Sequence, residues 1–151
     1  MPTLTTKAPR ADRVIQFSVF TQNRLGRLHD LVGLLGQHQV HVVALMVLDT
    51  TDSAIIRMIV DDPDGARHLL VEGNFPFTET GIVAVETTPA DLARMMAVLL
   101  QAEININYLY SFIPQPGGKS ILALKMEDNE VAEQALTRSQ FRTLKQADIS
   151  R

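Results

Sequence analysis

Apolar and polar positions change period along this chain, and the changes mark its elements. From Val14 to Phe20 they alternate, Ile15, Phe17 and Val19 against Gln16 and Ser18, which predicts a strand with one buried face. From Leu25 to Gln37 the period lengthens. Leu28, Leu31, Val32, Leu34 and Leu35 form the stripe of an amphipathic helix, and packing must hold it because Gly33 and Gly36 lower its propensity. Val40 to Asp49 is apolar at nearly every position, the mark of a strand covered on both faces. Thr50-Thr51-Asp52 turns the chain into a returning strand, Ala54 to Val60. Asp62-Pro63 then opens a helix, with Asp62 as cap, Ala66, Leu69 and Leu70 inward and Gly73 as the stop. Phe75 to Thr80 reads as a short fourth strand.

The pattern then repeats. Adding 64 carries the turn Asn23-Arg24-Leu25-Gly26 onto Thr87-Thr88-Pro89-Ala90, and the first helical stripe onto Leu92, Met95, Met96, Val98 and Leu99. Ile82 to Glu86 and Ile104 to Ile113 match the first two strands. Beyond Pro114-Gln115-Pro116-Gly117-Gly118 the offset becomes 66, so this turn has gained two residues. Ser120 to Met126, the Asp128 cap with Ala132 and Leu136, and Phe141 to Ile149 complete the copy. Each half reads strand-helix-strand-strand-helix-strand. Right-handed crossovers around a hairpin make this an α+β chain of two tandem ferredoxin-like βαββαβ domains, antiparallel sheets backed by helices. The expected division is a loose tail over 1–12, one domain over 13–80 and a second over 81–151. Gly81 alone separates the units, so one rigid body is expected.

On the strand Val40 to Asp49, placing Val42 and Ala44 inward turns Val43, Leu45 and Val47 outward, where Ile55 and Ile59 join them. Apolar area on an open sheet face calls for a covering partner. A homodimer would supply it; packing between the two halves of one chain would hide part of it. Arg57 falls on the same face, paired with an acid across the sheet or at a dimer contact.

Composition narrows the function. The 151 residues are 46% hydrophobic and 21% charged, with a net charge of −3 and no basic block, which argues against nucleic acid. The chain has no cysteine, so disulfides, thiolate catalysis and cysteine-held metals are excluded. It shows neither a signal-peptide core nor an 18-residue apolar run, which fits a cytoplasmic protein without a membrane partner. No Ser/His/Asp set, phosphate loop or pair of catalytic carboxylates can be assembled, and no cofactor is implied. The expectation is not an enzyme.

The order of elements, Asn23-Arg24-Leu25-Gly26-Arg27-Leu28 opening helix one, and Met58-Ile59-Val60-Asp61-Asp62 before helix two resemble an ACT domain. Thr88-Pro89-Ala90-Asp91-Leu92 and Ile104-Asn105-Ile106-Asn107-Tyr108 resemble a second. The resemblance runs from Arg13 to about Ile149 and is to small stand-alone tandem ACT proteins. It implies a non-enzymatic regulatory protein that binds a small ligand, usually an amino acid, between paired domains. The family's loop is Asp or Asn, any residue, Pro, Gly; here Leu25 replaces the Pro, and in the copy Thr87 and Ala90 replace the amide and the Gly.

Those residues suit such a ligand. A helix start presents unpaired N–H groups and a partial positive charge to a carboxylate. Gly26 lets a ligand approach the backbone, and Asn23 both donates and accepts. The candidate site is therefore Asn23, Arg24, Leu25 and Gly26. The other wall, which the resemblance assigns to the second strand of a neighbouring domain, is Leu45-Met46-Val47 or Leu109-Tyr110-Ser111. Thr87, Thr88, Pro89 and Ala90 are a second candidate site. The same residues also read as ordinary caps and tight turns. A competing function is a protein-interaction module docking on a metabolic enzyme without a ligand of its own. A ferredoxin-like RNA binder would need aromatic residues where Ile56, Met58 and Val60 stand. His38 and His41 lack a third metal ligand, Asp61 to Asp64 lacks calcium-loop spacing, and alternation separates Asn105 and Asn107 from Tyr108 and Tyr110.

Overall fold

The computed structural model describes residues 12–22, 26–114 and 119–150. The tail as far as residue 11, Asn23 to Leu25 and the centre of the long second turn (115–118) lie outside the described residues. The first unit contains β1 (Val14–Gln22), α1 (Arg27–Gln37), β2 (Val42–Asp49), β3 (Ser53–Val60) and α2 (Pro63–Glu72), and ends in β4 (Phe77–Thr87). The second continues from β4 through a short 3₁₀ turn (Pro89–Asp91) to α3 (Leu92–Gln101), β5 (Ile106–Ser111), β6 (Ser120–Met126), α4 (Asn129–Arg138), β7 (Thr143–Leu144) and α5 (Gln146–Ile149).

All pairings are antiparallel. The strand path is β2-β3-β1-β4-β6-β5, with β7 on the other side of β4. The fourth strand of unit one and the first of unit two are one continuous strand. Its first half pairs with β1, from Phe77 against Val19 to Ile82 against Val14. Its second half pairs with β6 and β7. Each sheet thus has the 2-3-1-4 order expected of a βαββαβ unit, and the boundary between 80 and 81 falls inside a strand.

Each sheet rests on its own two helices. Phe17, Ile56, Met58, Leu31, Leu35, Leu69 and Leu70 fill the first core, and Val83, Leu124, Met126, Met95, Leu99 and Leu136 the second. The helices start where the sequence places their caps. Asp62 accepts from the Gly65 amide at 3.1 Å and Asp128 from the Val131 amide at 3.0 Å.

A third core lies between the two sheets. Val14, Ala44 and Ile59 of the first pack against Ile82, Ala84, Tyr110, Phe112 and Ala123 of the second. The covering partner of the open sheet face is therefore the other half of the same chain. Gln16 and Ser18, expected on a polar face, are buried there at 0% and 6% exposure. Arg57 finds an aromatic rather than an acid: its guanidinium lies 4.2 Å from the centre of the Tyr108 ring. Its Nε is buried without a hydrogen-bond partner among the described residues.

Two expectations need correction. A β-bulge between Val42 and Ala44 shifts the register of β2 against β3. An extra residue reverses which side chains face which way. Ala44 and Val43 consequently pack between the sheets, while Leu45 turns to the helix-backed core and Val47 stands opposite Ile56 on that face. Ile59 lies between the sheets, as expected. The copy carries the same irregularity between Ile106 and Tyr108, and Tyr108 and Tyr110 share a face with ring centres 6.5 Å apart. The second correction concerns Phe141 to Ile149, which is only briefly a strand. At Lys145 the backbone N–H donates to the Asp148 carboxylate at 2.8 Å and opens α5 instead.

Candidate functional site

Gly26 has φ 91° and occupies the N-cap of α1 without side-chain capping. Only glycine takes this left-handed conformation without penalty, and a Cβ built there would meet nothing within 4 Å among the described residues. The Gly26 carbonyl accepts from Asp30 N–H at 2.8 Å, starting the helix. The N–H groups of the first turn have no carbonyl of their own helix to meet.

Beside this turn runs a groove in two parts. A cavity of about 210 Å³ is lined by Thr21, Gln22, Arg27, Leu28, Val47 and Asp49, with Ala54 and Ile56 beneath. It adjoins a more open hollow of about 500 Å³ bordered by Phe20, Thr21, Gln22, Arg27, Ser53 and Pro76. The bulge in β2 is what aims Val47, 45% exposed, into the groove. Arg27 is held on its wall by donating from Nε to Thr21 Oγ1 at 3.3 Å and by lying 4.5 Å from the centre of the Phe75 ring. Asp49 ends β2 on the same groove. A cation, an anion and an apolar floor thus converge next to a helix start whose N-cap is glycine. That is the complement of a zwitterion with an apolar side chain.

Of the expected wall, Val47 lines the groove; Leu45 is half-buried in the first core, and Met46 packs between the sheets opposite Arg57. In the copy, Leu109 and Ser111 are exposed, whereas Tyr110 is only 8% exposed and donates to Gln16. None of the three lines this groove. Around the second turn, Thr87 is buried, Pro89 and Ala90 are exposed, and Thr88 Oγ1 accepts from Asp91 N–H at 3.3 Å. A side chain therefore caps this helix start, whereas the N-cap of α1 is a glycine with no side chain to do so.

Arg27 and Asp49 escaped the sequence reading, although the repeat holds a signal for them. Adding 64 turns Arg27 into Asp91, Asp49 into Ile113 and Gln22 into Glu86, so both groove charges belong to the first unit alone. Glu86 is instead paired with Arg142 at 2.8 Å. The paired histidines separate similarly: His41 Nδ1 meets Asp61 Oδ2 at 2.7 Å, and His38 Nδ1 meets the Leu34 carbonyl at 3.0 Å. Among the described residues no group of three or more His, Asp or Glu side chains could hold a metal ion, and no helix is long and apolar enough to cross a membrane.

Two βαββαβ units of 2-3-1-4 order, the first with glycine at the N-cap of its first helix, define a pair of α+β modules. The chain belongs to the ACT domain pair family, whose model matches residues 13–151. It is similar in structure to protein BT0572 from Bacteroides thetaiotaomicron, with a TM-score of 0.81 and 25% identity over 91% of this chain and 95% of that one. The regulatory subunit of aspartate kinase from Thermus thermophilus, in its ligand-free form, shares the fold at a TM-score of 0.59 and 12% identity, covering 85% of this chain and 93% of that one. The corresponding Thermus flavus subunit gives 0.53 and 13% over the same shares. No curated protein matches the chain.

Proposed function

We propose that this chain is a non-enzymatic regulatory protein that binds an amino acid in the groove beside Gly26. The carrying observation is the placement of Arg27 and Asp49 on one groove beside a helix start with glycine at its N-cap. The ligand carboxylate meets the first-turn N–H groups and Arg27, its ammonium meets Asp49, and its side chain lies on Val47 and Leu28. Asn23, whose amide both donates and accepts, is assigned to the zwitterionic end of the ligand. The protein works as a homodimer in which the exposed Leu109 and Ser111 of a second chain close the groove. The second turn, at Thr87 to Ala90, is assigned a structural role, because Thr88 already caps it.

Thermal denaturation in the presence of each of the twenty amino acids tests the proposal. One or a few should raise the midpoint, since a ligand that binds only the folded state stabilises it by mass action. Asn23→Ala combined with Gly26→Val should remove that response while the fold survives. Stabilisation by none of the twenty, or an undiminished response in the double variant, would sink this assignment. Sedimentation analysis tests the dimer separately.

A further inference from the structure

A second cavity, of about 390 Å³, lies at the seam between the two units, away from the Gly26 groove. Val43 contributes from the start of β2, Phe112 and Ile113 from just beyond β5, and Ile121 from the start of β6. Ile149 of α5 closes the far side. Its walls are locked together rather than merely adjacent. Ile113 N–H donates to the Val43 carbonyl at 2.8 Å, and Ala44 bridges Phe112. The α5 wall is tied to the first unit by Gln146, which accepts from Ile15 N–H at 3.0 Å and donates to the Val60 carbonyl at 3.3 Å. A mostly apolar, preformed hollow of this size with a few polar groups on its rim has the character of a small-molecule site.

The rim states the charge of the occupant. Asp148 is already engaged, accepting from Lys145 N–H at 2.8 Å with Arg142 Nη2 at 3.5 Å. Lys119, which also lines the cavity, has no carboxylate partner among the described residues. Ser111 and Ser120 add hydroxyl groups to the rim. One uncompensated ammonium over an apolar hollow matches a single negative charge on an aliphatic body; a dianion would be repelled by Asp148.

We propose that the seam cavity binds an aliphatic monocarboxylate, its chain among Val43, Ile113, Ile121 and Ile149 and its carboxylate on Lys119. The site is separate from the Gly26 groove of the same chain, and of its lining only Ser111 is also assigned to a partner's groove.

Methyl NMR on the full chain tests this with two probes, 4-methylpentanoate and the uncharged 4-methylpentan-1-ol. The acid should shift the methyl signals of Ile121 and Ile149 saturably while leaving Leu28 and Val47 at the Gly26 groove unmoved. Lys119→Gln should weaken the acid about tenfold, the loss of one charged contact, and leave the alcohol unchanged. Ile149→Trp, which fills the hollow, should abolish both. The proposal is overturned if neither probe saturates, if shifts appear at Leu28 and Val47 instead, or if Lys119→Gln binds the acid as the parent chain does. Loss of acid and alcohol binding together in Lys119→Gln would also overturn the assigned role of the ammonium.

Discussion

Tyr110 donates its hydroxyl proton to Gln16 Oε1 at 2.7 Å, joining β5 of the second unit to β1 of the first inside the core between the sheets. The same amide donates from Nε2 to Tyr108 Oη at 2.7 Å, so one glutamine holds two stacked tyrosines. Tyr110→Phe removes the donor to Oε1 and leaves a buried acceptor unsatisfied. Stability should fall by about 1–3 kcal/mol in urea unfolding, with an unchanged denaturant slope. A loss no larger than that of a surface tyrosine would mean that water replaces the bond.

The same residue sets an alkaline limit. Burial pushes the Tyr110 hydroxyl well above the ordinary tyrosine value, nearby Tyr108 adds to the shift, and Arg57 opposes it. The unfolded chain, whose tyrosines ionise near about pH 10, releases this proton before the folded chain does. Tyr110's contribution is therefore complete below about pH 10 and declines as pH rises beyond it. Urea midpoints followed from about pH 9 to about pH 11 should drop more gently in Tyr110→Phe than in the parent chain. Parallel curves would contradict the assignment.

Asp49 is exposed at the end of β2, so Asp49→Asn should change stability by less than about 0.5 kcal/mol. If Asp49 meets the ligand ammonium, the same change should weaken amino-acid binding by about tenfold, as loss of a charged contact does. Calorimetric titration of the stabilising amino acid decides the matter, and unchanged affinity would remove Asp49 from the site.

Asp62 and Asp128 cap the corresponding helices of the two units. Each Asp→Ala change should cost about 1 kcal/mol. Since the caps share no partner, the double variant should lose close to the sum. A double variant much worse than that sum would show that the helix starts communicate through the core between the sheets.

The doubled order of elements, both Asp caps and the helix-backed cores were legible because each leaves a local mark: a period, a cap residue or a repeated offset. The face assignments in β2 were not. Val40 to Leu48 carries scarcely any polar residue apart from His41, so an extra residue at Val43 leaves no break in the pattern, and Ala44 and Leu45 exchange sides unannounced. Gln16 and Ser18 were hidden for a different reason. Alternation reports the helix-backed face, while the burial of the other face depends on a unit sixty residues and more away. The groove charges were obscured by reading the turn as a motif. Arg27 stands just beyond it, and Asp49 reaches it only through the fold.

The shared strand also constrains how this sequence can change. Residues of β4 serve the final edge of one sheet and the opening strand of the next, with Val83 and Val85 in one core and Ile82 and Ala84 in another. Gly81 lies against Arg13, which reaches Glu133 of the second unit at 3.1 Å. Two copies of a unit joined by a loose tether could drift apart independently, each answering to its own core. Here a substitution in the joining strand is tested by both halves at once. The freedom to diverge therefore belongs to the turns, and the unequal charges at Arg27 and Asp91 are where that freedom is visible.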